Sequence, residues 1–247
     1  MQESYIAIDL ETTGLNPKQD RILEIGAIRV QDGIETGQYH TLVDPHCEIS
    51  ERVVELTGIT GELVEGAPDI GDIIAEVREF CGELPLLGHN IMFDFSFLKQ
   101  AAVNQGIGWE TWGIDTLKLC RKFMPEEEKK NLQAACRFFD MEQEQAHRAL
   151  GDARDAHRLY QILKQRFGAA SSEAFEGYAL HYKVKRAQPA SKKQKEDLRY
   201  LVKYHKIKLP VQIDSLSRSE ASRLKDQIIS QYGRICPADA SGHRGIV

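Results

Sequence analysis

Ser4-Tyr5-Ile6-Ala7-Ile8-Asp9-Leu10-Glu11-Thr12-Thr13-Gly14 decides how this chain is read. From Ser4 to Leu10 the run is rich in branched apolar residues and reads as a buried strand, and Thr12-Thr13-Gly14 reads as the turn that follows. Alternate side chains of a strand point to opposite faces, so Asp9 and Glu11, two apart at the strand end, share one face. A D-x-E pair is most often solvated surface. This one follows an interior run, and an ionised carboxylate at the mouth of a buried strand is costly without a partner such as a cation.

Working outward, residues 22–30 (ILEIGAIRV) and about 34–43, with Gly33 between them, read as a hairpin of two further strands. Between Asp69 and Cys81, Ile70, Ile73, Ile74, Val77 and Phe80 fall at helical spacing, and Gly82 is a stop signal. Leu84 to Leu87 reads as a short central strand, followed by Gly88-His89-Asn90 and a helix, FDFSFLKQAAVNQG, ending near Gly106. A strand around Gly113 to Thr116, helices over Leu117–Phe123 and Leu132–Phe139, and a last helix over Gly151–Phe167 complete the alternation. Three strands first and alternating elements afterwards predict an α/β fold, a mixed five-stranded sheet flanked by helices, over residues 1–168.

Residues 169–190 show no sustained period and are expected to form a linker. Ser191 with Gln194, and Ser217 with Glu220, are capping-box pairs opening two helices within 191–234, and 235–247 is expected to be a frayed tail. The net charge of −5 conceals a division: residues 1–182 hold 17 Lys and Arg against 31 Asp and Glu, whereas 183–247 hold 15 against 6. The small basic helical C-terminal unit is therefore a candidate for contacting phosphates, through release of their counterions, or for docking a protein. The five cysteines, at long spacings with no C-x-x-C pair, signal neither a zinc site nor a disulfide framework and are expected to be reduced and mostly buried. No run approaches the ~20 apolar residues of a membrane span, and MQESYIAIDLETTG lacks the basic and apolar regions of a secretory signal, so the expectation is a cytoplasmic protein with no membrane partner.

An Asp/Glu pair at a strand end suits hard, oxygen-seeking cations such as Mg²⁺. Two such ions about 4 Å apart can supply what phosphodiester hydrolysis requires: an activated water, neutralised phosphate charge and a stabilised leaving oxygen. Three stretches bear on this. Asp9-Leu10-Glu11-Thr12-Thr13-Gly14-Leu15, then His89-Asn90-Ile91-Met92-Phe93-Asp94 with Phe97-Leu98, then His147-Arg148-Ala149-Leu150-Gly151-Asp152 occur in order. Together they resemble the three exonuclease motifs of the DEDDh (DnaQ-like) 3′–5′ exonuclease superfamily, which includes polymerase III epsilon-type and PolC-type proofreading exonucleases and RNase T. The resemblance covers roughly residues 3–167, with Ile22-Leu23-Glu24-Ile25-Gly26-Ala27, Leu56-Thr57-Gly58-Ile59-Thr60 and Asp115-Thr116-Leu117 as supporting stretches.

The resemblance implies an RNase H-like fold in which Asp9, Glu11, Asp94 and Asp152 hold two Mg²⁺ or Mn²⁺ ions, with Asp9 bridging them. His147 would be the general base, which suits a side chain whose unperturbed pKa is near 6.5. By the same resemblance Thr12 and Thr13 meet the terminal nucleotide, Leu15 wedges beside its base, and Asn90 and Phe93 shape the cleft. Phe93 and Phe97 equally fit an ordinary helix-core stripe, and His89 is ambiguous between site and packing. The implied activity is release of nucleoside 5′-monophosphates from single-stranded or frayed 3′ ends, of DNA in proofreading or repair. The alternatives are an RNA-trimming exoribonuclease, a non-catalytic strand-end-binding subunit and a phosphodiesterase of small nucleotides. A polymerase or other protein partner for the C-terminal unit is a further expectation.

Overall fold

The computed structural model describes residues 3–143 and 147–235. Contacts divide the chain into two compact units, one holding Met1–Pro45 and Ile49–Arg186, the other His46–Glu48 and Ala187–Val247.

In the first unit the elements run β1 (Tyr5–Thr12), β2 (Ile22–Gln31), β3 (Ile34–Leu42), α1 (Glu51–Thr57), α2 (Gly61–Val64), α3 (Ile70–Cys81), β4 (Leu86–Gly88), α4 (Ile91–Asn104), β5 (Trp112–Asp115), α5 (Thr116–Phe123), α6 (Leu132–Phe138), α7 (Ala149–Phe167) and β6 (Tyr178–Ala179). The sheet order is β3-β2-β1-β4-β5-β6. Its first three strands are antiparallel, β4 and β5 continue parallel to β1, and β6 returns antiparallel. It is the mixed sheet that the order of elements predicts, with six strands where five are expected. The sixth comes from the stretch expected as a linker. There Phe175 and Leu180 are fully buried against the sheet and its helices, and Tyr178 pairs with Gly113. A two-residue strand and isolated apolar anchors carry no periodicity, which is why sequence reading passes over them.

The two faces of the sheet follow from the alternation of β1. Ile6, Ile8 and Leu10 enter one core with α3 and α4, while Tyr5 and Ala7 enter a second with α5, α6 and α7. The odd-numbered series continues through Asp9 and Glu11, so both acids stand on the α7 face. On β2 the even-numbered residues face the same way, with Ile28 and Val30 in that core and Glu24 and Gly26 beyond them. Strand β1 extends to Thr12, so Asp9 and Glu11 lie inside its last turns of the ladder, paired with Gly26 and Glu24.

Local signals set the helices. Asp69 caps α3 by accepting from Gly71 N–H, and Gly82 closes it. Helices α1 and α2, short and without a long apolar stripe, escape sequence reading; Ile59 and Val64 beside them bury against Leu23. Cys81, Cys120 and Cys136 are buried free thiols and Cys47 is half-buried, as expected; burial pushes each of the three buried thiols up to about 12. Cys236 and residues 236–247 of the expected tail lie outside the described residues. Among the described residues no helix is long and apolar enough to cross a membrane.

In the second unit, α8 (Lys192–His205) and α9 (Arg218–Tyr232) pack through Leu198, Leu201, Leu216, Ala221 and Ile228. Both capping boxes form, Ser191 with Gln194 and Ser217 with Glu220.

Candidate active site

Glycine at position 26 is what lets the last helix reach the sheet. Gly26 pairs with Asp9 in the ladder, and a Cβ there would stand 2.1 Å from the Leu150 nitrogen and 2.2 Å from the Ala149 carbonyl carbon. The start of α7 therefore lies directly on the bare backbone beside Asp9. That contact brings His147, just before the helix, and Asp152, in its first turn, over the acids of β1. From the opposite core, α4 presents Asp94 in its own first turn, where a carboxylate faces the helix's unsatisfied N–H groups. Its Oδ1 accepts the Leu10 N–H at 3.1 Å, which ties it to the strand between Asp9 and Glu11.

Ligand atoms of Glu11, His147 and Asp152 lie within 4.8 Å of one another. Asp9 belongs to the same cluster electrostatically: burial first, and then the charges of Asp94, Asp152, Glu11 and Glu24, push its carboxyl well above the ordinary range. Burial raises Asp94 as well, against the pull of its hydrogen bonds. Glu11 is pushed up to about 8 by burial and by Asp152 and Glu24, with Arg148 opposing, and Asp152 to about 6 by burial, against the His147 N–H bonded to its Oδ2 at 3.1 Å. Asp152 Oδ1 is buried with no hydrogen-bond partner among the described residues. Converging acids with an orphaned buried oxygen fit a divalent cation, whose charge would remove the repulsion and whose coordination would satisfy that oxygen.

The nearby cation, Arg148, is committed elsewhere. Its Nη2 donates to Glu24 Oε1 at 2.7 Å and its Nε lies 3.1 and 3.2 Å from the two carboxylate oxygens. Glu24, fully buried, also accepts from His40 Nε2 at 2.7 Å and from the Ala149 N–H at 3.0 Å. Burial pushes Glu24 up, but these hydrogen bonds outweigh it and hold the carboxyl below its ordinary value. Sequence reading placed Glu24 only in a supporting stretch. The signal was there: one acid inside an otherwise apolar strand has to be paired. Gln133, whose amide donates to His147 Nε2 at 3.2 Å, left no such signal. His147 itself has a φ of 61°, a left-handed conformation uncommon outside glycine.

The remaining expected residues divide. Thr12 Oγ1 donates to Gly14 O at 2.7 Å and Thr13 Oγ1 accepts the Arg21 N–H at 2.9 Å, so both side chains hold the loop after β1. Leu15 on that loop is 84% exposed. Asn90 stands exposed in the left-handed region ahead of α4, its N–H bonded to Asp115 Oδ1 at 3.0 Å. Phe93 is half-buried with its ring 5.1 Å from that of Phe97, which is buried core. His89 bonds Thr116 Oγ1 at 3.0 Å and Lys130 O at 2.6 Å, contacts that fix the segment between β4 and α4. Asp115 caps α5 while holding Asn90, and so joins the turns that follow β4 and β5.

A family model described as Exonuclease, of the RNase T type, matches residues 6–160. The PolC-type DNA polymerase III of Bacillus subtilis (strain 168) is 37% identical over 166 residues, which is 66% of this chain and 12% of the polymerase. That of Thermotoga petrophila is 38% identical over 158 residues, 64% of this chain and again 12% of the polymerase. The chain thus matches about an eighth of these relatives' length. Among solved structures, E. coli Exonuclease I in complex with a dT13 oligonucleotide superposes with a TM-score of 0.61 at 19% identity, covering 70% of this chain and 43% of that one. Exonuclease X in complex with 5′ overhanging duplex DNA gives 0.54 at 26% identity, covering 69% of this chain and 96% of that one.

Proposed function

The chain belongs to the exonuclease family whose model spans residues 6–160, and from that premise we propose that it is a metal-dependent 3′–5′ exonuclease releasing nucleoside 5′-monophosphates from DNA 3′ ends. The observation that carries the reading is the convergence of acids from β1, α4 and α7 with His147, whose ring shares a 4.8 Å cluster with Glu11 and Asp152. Two divalent cations, Mg²⁺ or Mn²⁺, held by Asp9, Glu11, Asp94 and Asp152 would supply the Lewis acidity that neutralises phosphate charge and stabilises the leaving 3′ oxygen.

The chain's own groups do the rest. His147 takes a proton from the attacking water. The Gln133 amide, 3.2 Å from the His147 Nε2, orients the ring. Glu24 fixes Arg148 and the Ala149 N–H, and thereby the start of α7 from which His147 and Asp152 project. Leu15, exposed on the loop after β1, would wedge against a terminal base, and Asn90 and Phe93, at the start of α4 ahead of Asp94, would shape the cleft. Contacts of this kind select a strand end and tolerate any base, because every base offers a π-face.

DNA is favoured as the substrate by the relatives, which are DNA polymerases, and by Exonuclease X, crystallised with an overhanging duplex. Proofreading or repair is the setting in which such an activity serves. The test is a 5′-labelled single-stranded DNA, a mismatched duplex end and an RNA of the same sequence, each incubated with Mg²⁺. Step-wise shortening of the DNA from its 3′ end supports the proposal. Preferential shortening of the RNA replaces it with an exoribonuclease, and tight binding without cleavage replaces it with an end-binding subunit.

A further inference from the structure

The second unit carries a charge that its own ion pairs leave largely unbalanced. Between residues 187 and 235 it has eleven Lys and Arg against five Asp and Glu. Lys195 and Arg199 share Asp214, Lys225 pairs with Asp197 at 2.7 Å, Lys192 reaches Glu196 at 4.0 Å and Lys208 reaches Glu48 at 3.4 Å. Lys193, Lys203, Lys206, Arg218, Arg223 and Arg234 are exposed and have no ion pair among the described residues. Exposed cations held near one another without counter-charges repel, and a polyanion relieves that repulsion while releasing its own counterions.

Aromatic and apolar surface is interleaved with these cations. Between α8 and α9 lies a cleft of about 200 Å³ lined by Tyr200, Leu201, Ile229 and Ile235, by the ion pair of Lys225 with Asp197, and by Arg234. Tyr200 is 48% exposed, and its ring lies 6.5 Å from that of Tyr204. Lys193, Tyr200 and Lys203, at spacings of seven and three residues, share one exposed side of α8. A flat ring beside a small cleft with apolar walls, with Arg234 in its lining and Lys193 and Lys203 on the same side of α8 all lacking an ion pair among the described residues, matches a chain that alternates planar bases with phosphates. A duplex keeps its bases stacked inside and cannot offer one to Tyr200.

The geometry points to α8 and α9 as a second, sequence-tolerant binding site for single-stranded DNA, with one base stacked on Tyr200 in the cleft and phosphates on Lys193, Lys203 and Arg234. The choice of DNA rests on the proposed substrate of the first unit; the site itself does not depend on catalysis there. Its role is to hold strand remote from the 3′ terminus, which would raise affinity for long substrates over short ones.

The experiment is fluorescence anisotropy of the full chain in EDTA with a labelled oligothymidylate of about 20 nucleotides, a length that exceeds one site. Tyr200→Ala is expected to weaken binding by roughly 5- to 150-fold, the range for loss of one base stack, while Tyr200→Phe keeps wild-type affinity. Lys193→Glu with Lys203→Glu is expected to flatten the dependence of log affinity on log salt by about 1.4, as for two lost phosphate contacts on a single strand. Hydrolysis of a nitrophenyl ester of thymidine 5′-monophosphate with Mn²⁺, too small to span both units, should be unchanged in all three variants. If affinity and salt slope are unaltered in Tyr200→Ala and in the double Lys variant, the proposal is overturned and the cleft is left to a protein partner. Absence of ester hydrolysis in the wild type would count against the exonuclease reading alone, because the binding measurements proceed without metal.

Discussion

The Arg148 guanidinium closes on the carboxylate of Glu24 at 2.7 Å, joining residues 124 apart in the chain beneath the start of α7. Neither residue is among the converging acids. Between them they hold the start of α7, because the Ala149 N–H bonded to Glu24 is the first of the helix that carries Asp152.

Replacing Glu24 by Ala leaves a partly exposed guanidinium and imidazole and a buried helix N–H without their acceptor. Because the cationic partners keep some water, the cost is that of lost charge-assisted hydrogen bonds, about 1.5–3 kcal/mol. Glu24→Ala should therefore lower the midpoint of chemical denaturation strongly, and Glu24→Gln, which keeps an acceptor oxygen, should lower it less. In the Gln variant the cleavage rate should still fall at least tenfold, with the larger share of the loss in kcat. A Gln variant with wild-type kcat would show that the start of α7 finds its place without this pair.

Gly26→Ala sets a methyl group 2.1 Å from the Leu150 nitrogen, which is backbone and cannot rotate away. Overpacking of this kind typically costs about 1–3 kcal/mol. The helix start must lift, and His147 and Asp152 with it. The expected result is a modest fall in thermal midpoint accompanied by a disproportionate loss of cleavage, measured on the same preparation.

The pH dependence of stability has a defined sign. Glu11 rises from its ordinary 4.5 to about 8 and Asp152 from 3.8 to about 6 in the folded, metal-free chain. Between those values the folded chain holds protons that the unfolded chain has released, so stability is greatest below the unfolded values and declines as pH rises through the folded ones. Thermal midpoints in EDTA should fall from about pH 5 to about pH 8. Excess Mg²⁺, which binds the deprotonated acids, should raise the midpoint most at the upper end of that range. A midpoint in EDTA that climbs across this window would refute the crowding of these carboxyl groups.

Asp9→Ala and Asp152→Ala should abolish cleavage while leaving the metal-free thermal midpoint unchanged or higher, since each removes a buried, repelled charge. His147→Ala should slow cleavage by about 10²- to 10⁴-fold. Titration calorimetry with Mn²⁺ separates the two roles: uptake should be lost in Asp9→Ala and kept in His147→Ala.

What the sequence determined by itself was whatever depends on neighbours in the chain. The two-residue alternation of β1 already puts Tyr5, Ala7, Asp9 and Glu11 on one side, and the capping boxes at Ser191 and Ser217 and the Asp69 cap are written in three-residue spacings. The three motifs likewise lie within short stretches, so the acids and His147 were legible before any coordinates. Only the tertiary structure decided which distant partners meet. Glu24 with Arg148 and His40, Gln133 against His147, and the closure of the sheet by Tyr178–Ala179 are pairings between segments whose local sequences do not specify one another. They are selected by how the α7 start packs onto Gly26 and how the core fills around Phe175 and Leu180, because burying apolar area and satisfying a buried charge depend on the whole set of surrounding elements.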